Sequence, residues 1–173
     1  MGSYRQQINM CKIFEVTVKD LLKINDLENQ LNLNITKLNF FDQITLNKNF
    51  KFVKLISKRQ IIGFLQFSWN KSDCDIISIG IIKKFQKRNY GKKLVEYLKS
   101  LNFENIYAEV SVNNKSAIKF YQRLNFFKIG LRKNYYKKQD SDAILLKLEI
   151  LNWCNIFVKK YNYKILYGKF NPT

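Results

Sequence analysis

The chain has 173 residues, of which 46% are hydrophobic and 15% aromatic, and this composition is sufficient for the core of one globular domain. Its 31 Lys and Arg residues outnumber 13 Asp and Glu residues, which gives a formal net charge of +18. No apolar run approaches the roughly 18 residues of a membrane-spanning helix, and the N-terminal residues lack the hydrophobic region of a signal peptide. We therefore expect a cytoplasmic protein that has no membrane partner.

Cysteine and histidine usage argues against two further kinds of site. Cys11, Cys74 and Cys154 are odd in number and widely spaced, and the chain contains no histidine. This pattern disfavours a disulfide framework and a zinc site. We expect no bound metal.

The excess of positive charge has two interpretations. One is attraction to an acidic partner such as ribosomal RNA or the phosphates of a cofactor. The other is compositional drift, because a chain rich in Asn, Lys, Ile, Phe and Tyr with one proline is typical of an AT-rich genome. Composition leaves both open.

The first part of the chain predicts a strand and a helix. Residues 11–18 place apolar side chains among polar neighbours and predict the first strand. Residues 18–30 predict a helix that places Leu21, Leu22, Ile24, Leu27 and Leu31 on roughly one face, with an acidic residue near the start that suits the helix dipole. Residues 32–42 mix apolar and turn-forming residues without a period, and we interpret them as a loop with a short helix.

The next segment predicts a hairpin and a third strand. Residues 50–57 and 60–69 are rich in strand-forming residues and are joined by Lys58 and Arg59, so they form a hairpin. Residues 75–83 predict a strand that leads into a polar, basic turn.

That turn is the first candidate site. It contains Gln86, Asn89 and Gly91 and precedes a helix with apolar residues at helical spacing. Free backbone N–H groups at a helix N-terminus attract a phosphate, and a residue without Cβ at position 91 lets the backbone approach a ligand. The flanking cations are Lys87, Arg88, Lys92 and Lys93. The turn therefore predicts a phosphate site.

A second constellation follows this helix. Residues 105–112 alternate between apolar and polar side chains, which predicts a strand with Glu109 on its polar face. Asn114 offers an N-cap to the helix 116–124, which carries Tyr121.

The end of the chain predicts two strands and a tail. Residues 126–131 and 143–150 complete the sheet around a polar loop that contains Tyr135 and Tyr136. The segment 151–173 is aromatic and basic, and either a packed helix or a partner-binding arm fits it. We therefore divide the chain into a domain of residues 10–150 and a tail of residues 151–173.

Together these motifs resemble the GNAT acetyltransferases. The turn is similar to the family's pyrophosphate loop, Gln/Arg-x-x-Gly-x-Gly/Ala, with Asn89 in place of its first glycine. Asparagine is the best substitute for glycine where the chain turns left-handed, so the departure is mild. The stretch from Glu109 to Phe126, followed by Arg132-Lys-Asn-Tyr-Tyr136, resembles the C-terminal half of the protein N-α-acetyltransferases. Within them it is most similar to the NatE catalytic branch and to the bacterial ribosomal-protein alanine acetyltransferases.

The resemblance implies an α/β GNAT fold, with a mixed, mostly antiparallel sheet flanked by helices and the cofactor wedged where two central strands separate. It implies acetyl-CoA binding by Ile81, Ile82, Lys83, Gln86, Lys87, Arg88, Asn89, Tyr90, Gly91, Lys92 and Asn114. Tyr121 would face the thioester sulfur, and Tyr135 and Tyr136 would hold the backbone of the substrate N-terminus. The substrate loop of the NatE branch, Phe-Pro-Val, falls on Leu33, Asn34 and Ile35, and Asn125 replaces a second family glycine.

Acid–base chemistry adds a reason to single out two of these residues. An α-amine is mostly protonated at neutral pH, since its ordinary pKa is about 7.7–8.0, so attack on a thioester requires a proton acceptor. Without histidine, the carboxylate of Glu109 is the natural candidate, directly or through water. The phenol of Tyr121 could protonate the departing thiolate. The structural alternative makes Glu109 a solvated strand residue and Tyr121 a core aromatic.

We thus predict an enzyme that transfers acetyl from acetyl-CoA to protein N-termini, including nascent chains, with a ribosome or an auxiliary subunit as a possible further partner. Two alternatives stay open at this point. The same fold can acetylate a lysine side chain or a small amine, or it can serve as a ribosome- or RNA-binding module without turnover.

Overall fold

The computed structural model describes residues 11–31, 48–137 and 140–150. The strands are β1 (Lys12–Glu15), β2 (Phe50–Ser57), β3 (Gln60–Asn70), β4 (Asp73–Ile81), β5 (Asn105–Ser111), β6 (Phe127–Tyr136) and β7 (Ser141–Glu149). The helices are α1 (Leu21–Gln30), α2 (Tyr90–Lys99) and α3 (Lys115–Arg123), and two 3-10 turns cover Val18–Asp20 and Lys83–Phe85. Within these ranges, no helix is both long and apolar enough to cross a membrane. The predicted loop at 32–42 and the tail at 151–173 lie outside the described residues.

The strands form one seven-stranded sheet in the order β1-β2-β3-β4-β5-β7-β6. β4 and β5 run parallel, and the other neighbouring strands run antiparallel. This confirms the predicted mixed, mostly antiparallel sheet. The predicted hairpin between β2 and β3 is also confirmed, and Lys58 and Arg59 both have positive φ (48° and 64°), as a tight hairpin turn requires.

Helices cover both faces of the sheet. On one face, α2 and α3 pack on the larger core through side chains such as Leu94, Leu98 and Tyr121. On the other face, α1 packs Ile24 and Leu27 on a smaller core that contains Phe52 and Phe64. Leu22, which the helical pattern placed on the buried face of α1, is instead 80% exposed, because it points away from the stripe formed by Ile24 and Leu27.

β1 is shorter than predicted because the chain turns at Thr17. The backbone N–H and the hydroxyl of Thr17 both donate to Asp20 Oδ2, at 2.8 and 2.7 Å, and Lys54 forms an ion pair with the same carboxylate. This capping arrangement ends the extended segment and begins the 3-10 turn that leads into α1.

The last two strands differ most from the prediction. β6 extends to Tyr136 and β7 begins at Ser141, so Tyr135 and Tyr136 lie on a strand and not in a loop. The pairing shifts after Arg132, where Asn134 takes a positive φ of 51° and its N–H donates to Asp142 Oδ1 at 2.9 Å. Residues 132–136 resemble a turn in sequence because this part of β6 contains a bulge. The pairing with β7 resumes at Tyr136, which lies opposite Ser141.

β4 and β5 separate partway along their length. They pair only from Asp73 to Ile76 on β4 and from Asn105 to Ala108 on β5. Beyond that point β4 continues against β3, and β5 continues against β7. Ile77 has no register partner on β3, so it is a β-bulge that bends β4 away from β5. The predicted separation of two central strands is thus present.

Candidate active site

The turn before α2 presents free backbone donors. Asn89 has a φ of 63°, the left-handed conformation that asparagine tolerates best after glycine. The first backbone hydrogen bond of α2 runs from Lys93 N–H to Asn89 O at 3.1 Å. The N–H groups of Tyr90, Gly91 and Lys92 precede it and therefore have no acceptor within the helix. They lie at the positive end of the helix dipole.

Side chains fix the shape of this turn. Gln86 Nε2 donates to the carbonyl oxygen of Ile81 at 2.8 Å, which ties the turn to the end of β4. The Gln86 N–H donates to Lys83 O, and the Phe85 N–H donates to Ile82 O. The side-chain amide of Gln86 therefore holds the turn against the end of β4. Around it, the charged groups of Lys87, Arg88 and Lys92 are exposed to solvent.

Tyr90 and Gly91 contribute backbone groups to this turn. The Tyr90 side chain and the Phe120 ring beside Gly91 pack in or against the larger core. The Tyr90 side chain is only 4% exposed, its ring lies 6.0 Å from that of Phe85, and burial raises its pKa. A Cβ at Gly91 would meet the Phe120 ring of α3 at 2.9 Å. Glycine at position 91 therefore lets the Phe120 ring of α3 approach the backbone of α2 closely, a reason that the sequence did not indicate.

Glu109 lies on β5 directly after the last residue paired with β4. Because Ile106, Ala108 and Val110 point into the larger core, the alternation of the strand places Glu109 on the opposite face. Its side chain is 29% exposed, and Oε1 is 2.8 Å from Arg132 Nη1. The structure thus places the predicted carboxylate beside the gap between the two strands.

Tyr135 and Tyr136 lie next to Glu109. The Tyr136 hydroxyl donates to the backbone carbonyl of Glu109 at 3.2 Å, and the two tyrosine rings are perpendicular with centres 5.2 Å apart. A hydrogen bond with Glu109 raises the pKa of Tyr135. Burial, followed by the charge of Glu109, raises the pKa of Tyr136. The structure therefore brings together three of the predicted site residues.

Tyr121 and Asn114 approach from α3. Tyr121 is 4% exposed and packs between the rings of Phe120 and Phe126, with centres 5.1 and 5.0 Å away. Burial, with a smaller effect from the Tyr136 phenol, raises the pKa of Tyr121 strongly, so its hydroxyl stays protonated around neutral pH. Asn114 Oδ1 accepts the N–H of Ala117 at 3.0 Å, which confirms the predicted helix cap.

Arg132 is a functional candidate to which the sequence assigned no role, although it begins one of the stretches that resemble the N-α-acetyltransferases. It lies on β6, while Glu109 lies on β5, and β7 runs between them. No local spacing signals a contact across an intervening strand, so only the strand order could have identified the pair. The predicted substrate loop, Leu33, Asn34 and Ile35, lies outside the described residues.

Acidic and Cys side chains do not form a metal-binding cluster in the described part of the chain. Over residues 11–31, 48–137 and 140–150, no group of acidic or Cys side chains could hold a metal ion. Burial raises the pKa of Cys74 to about 12, so this thiol is unreactive.

Comparison with known proteins is consistent with this geometry. The model of the Acetyltransferase (GNAT) family matches residues 19–126. The chain is similar to N-alpha-acetyltransferase 50 of Danio rerio, with 26% identity over 142 residues that cover 79% of this chain and 73% of that protein. It is also similar to the ribosomal protein bS18-alanine N-acetyltransferase of Haemophilus influenzae, with 33% identity over 90 residues, or 50% of this chain and 61% of that protein.

A solved structure has the same fold. The ribosomal-protein-S18-alanine N-acetyltransferase of Escherichia coli superposes with a TM-score of 0.68 and 20% identity, over 83% of this chain and 96% of that one. At this identity, the likeness shows the fold alone.

Because Phe120 lies close to Gly91, substitutions at the two positions should have coupled effects on stability. Gly91→Ala should lower the free energy of unfolding, because overpacking typically costs about 1–3 kcal/mol and exceeds the up to about 1 kcal/mol that alanine gains in a helix. In a Phe120→Leu background the same substitution should be neutral or stabilising. Urea unfolding of the parent, the two single variants and the double variant measures this coupling. Strictly additive changes in the free energy of unfolding would contradict it.

Proposed function

Because this chain belongs to the GNAT family of acetyltransferases, an acetyl-CoA-dependent class of acyltransferase, we propose that it acetylates the α-amino group of protein N-termini by direct attack in a ternary complex. The observation that carries the proposal is the cluster of Glu109, Tyr135 and Tyr136 beside the gap between β4 and β5. A carboxylate and two phenols at this edge offer a proton acceptor and hydrogen-bonding groups for a peptide. The relatives named above as N-acetyltransferases support the same assignment.

The turn before α2 fits the phosphates of acetyl-CoA. Three N–H groups without an acceptor in the helix, a positive helix dipole and the cations of Lys87, Arg88 and Lys92 provide the donors and charge that a pyrophosphate requires. We assign binding of acetyl-CoA to residues 81–83 and 86–92, with its phosphates at the turn, and contact with its pantetheine arm to Asn114. Acetyl-CoA supplies an acetyl group activated as a thioester.

Glu109 and Tyr121 each carry out one of the two proton transfers that the reaction requires. Glu109 accepts the proton that the α-ammonium must lose, directly or through an ordered water. Tyr121 donates a proton to the departing sulfur, a role that its protonated, buried hydroxyl suits. The two residues reach the reacting atoms from different elements, β5 and α3.

Tyr135 and Tyr136 hold the peptide backbone in this proposal, opposite the loop of Leu33, Asn34 and Ile35. Leu33 and Ile35 would line an apolar pocket, so the first residue is apolar, and methionine followed by a hydrophobic residue is the leading substrate. The proposed setting is the cytoplasm, with nascent chains as substrates and the ribosome or an auxiliary subunit as partner.

Release of free thiol from acetyl-CoA tests the function as a whole. We expect release that depends on peptides with a free N-terminus. Equal release with N-terminally blocked peptides that contain lysine would favour a lysine acetyltransferase. The absence of release with any amine would favour a non-catalytic binding module.

Acetyl-CoA should stabilise the fold. A ligand that binds only the native state at 100 times its Kd adds about 2.7 kcal/mol, which corresponds to a rise in Tm of roughly 5–10 °C for a chain of this size. Gly91→Glu should abolish the rise, because it adds a carboxylate and bulk to the turn. Thermal unfolding with and without acetyl-CoA measures both, and an unchanged Tm for the parent protein would exclude phosphate binding at this turn.

Tyr136→Phe should raise the KM for peptide and leave the affinity for acetyl-CoA unchanged. The substitution removes the hydroxyl on the substrate side and keeps the ring. Steady-state kinetics with varied peptide, together with acetyl-CoA titration, separates the two effects. Parental KM for peptide in this variant would remove Tyr136 from the substrate site.

Glu109→Gln keeps the shape of the side chain and removes the proton acceptor. General acid–base catalysis typically contributes 10²–10⁴-fold, and we expect kcat to fall at least roughly tenfold. The deficit should shrink at higher pH, because more of the peptide amine is already deprotonated. Turnover from pH 6 to 9 measures this, and parental kcat across the range would exclude Glu109 from the mechanism.

A further inference from the structure

Arg132 contacts the catalytic candidate, and the proposed mechanism gives it no role. Its Nη1 lies 2.8 Å from Glu109 Oε1, and its guanidinium lies 5.5 Å from the centre of the Tyr135 ring. To reach Glu109, the side chain crosses β7 near Ala143, which is the register partner of Arg132 on one side and of Ser111 on the other.

Charged and titratable groups from two strands surround the Glu109 carboxylate that Arg132 contacts. Among the described residues, the titratable and charged groups that face Glu109 are Asp75 from β4 and Arg132, Tyr135 and Tyr136 from β6. From β7, the register partner of Glu109 is the apolar Leu145.

Asp75 shows the balance of charge at this edge. Desolvation, followed by the carboxylates of Asp73 and Glu109, raises the pKa of Asp75, and Arg132 acts in the opposite direction. A cation within hydrogen-bond distance favours the ionised form of a carboxylate, and a neighbouring carboxylate disfavours it. Arg132 therefore offsets the repulsion between Glu109 and Asp75.

We propose that Arg132 is a positioning residue that holds the Glu109 carboxylate in a fixed orientation beside the gap between β4 and β5, where it can accept a proton from the substrate. The inference rests on the proposed function of Glu109 and adds to it the residue that orients the Glu109 side chain. Arg132 also stacks on Tyr135, so it links the proton acceptor to the residue proposed to hold the peptide.

A double-mutant cycle on kcat tests this role. If Arg132 acts through Glu109, Arg132→Gln should lower kcat by roughly threefold to tenfold and leave the KM for acetyl-CoA near the parental value. In a Glu109→Gln background the same substitution should cost little more, because the group that Arg132 positions has already been removed. Losses in kcat that simply multiply in the double variant would overturn the inference.

Two variants serve as controls. Lys133→Gln removes the same charge from the next position of β6, where the exposed Lys133 makes no ion pair within the described part of the chain, and its kcat should match that of the parent. Arg132→Lys keeps the cation and should recover most of the parental kcat. An equal loss of kcat in Lys133→Gln and Arg132→Gln would show a general effect of charge and overturn the inference.

A measurement that is independent of turnover separates this inference from the proposed function. Urea unfolding of the parent, Arg132→Gln, Glu109→Gln and the double variant measures how strongly the two side chains are coupled in the folded protein, and we expect them to be coupled. Additive changes in the free energy of unfolding would overturn the inference even if the parent acetylates peptides. A coupled pair in a parent that does not acetylate N-termini supports the pairing and contradicts the proposed function.

Discussion

The separation of β4 from β5 is the constraint on which the candidate site depends. The two strands pair in parallel only as far as Ile76 and Ala108, and the bulge at Ile77 turns β4 away while β7 keeps β5 in place. A sheet that remained closed here would leave no gap between its central strands. The turn before α2 begins where β4 ends, and Glu109 follows directly after the last paired residue of β5.

The two edges of this gap carry different groups. At the end of β4, the α2 N-terminus and the exposed cations form a positive region, which suits phosphates. On β5, Glu109 places a carboxylate beside the gap and pairs with Arg132 of β6, while Asp75 lies on the paired part of β4. In the proposed reaction the turn before α2 binds the anionic cosubstrate, and the ammonium group of the substrate approaches Glu109.

Local signals predicted much of the fold. The hairpin at Lys58 and Arg59, the cap at Asn114 and the left-handed Asn89 each depend on a few adjacent residues, and the structure has all three features. The family resemblance added the strand separation and the candidate residues around it.

Contacts between elements distant in sequence could not be predicted in this way. The extension of β6 to Tyr136 depends on its register with β7, and the bulge at Ile77 depends on the register between β3 and β4. The ion pair between Arg132 and Glu109 requires the order of three strands.

The most direct measurement of the central claim is the position of the acetyl group on a single peptide that contains both a free N-terminal methionine and an internal lysine. After incubation with the protein and acetyl-CoA, fragmentation mass spectrometry assigns the modification to one amine or the other. We predict acetyl on the α-amine, with the lysine unmodified. Acetyl found on the lysine alone, with the N-terminus free, would contradict N-terminal acetyl transfer.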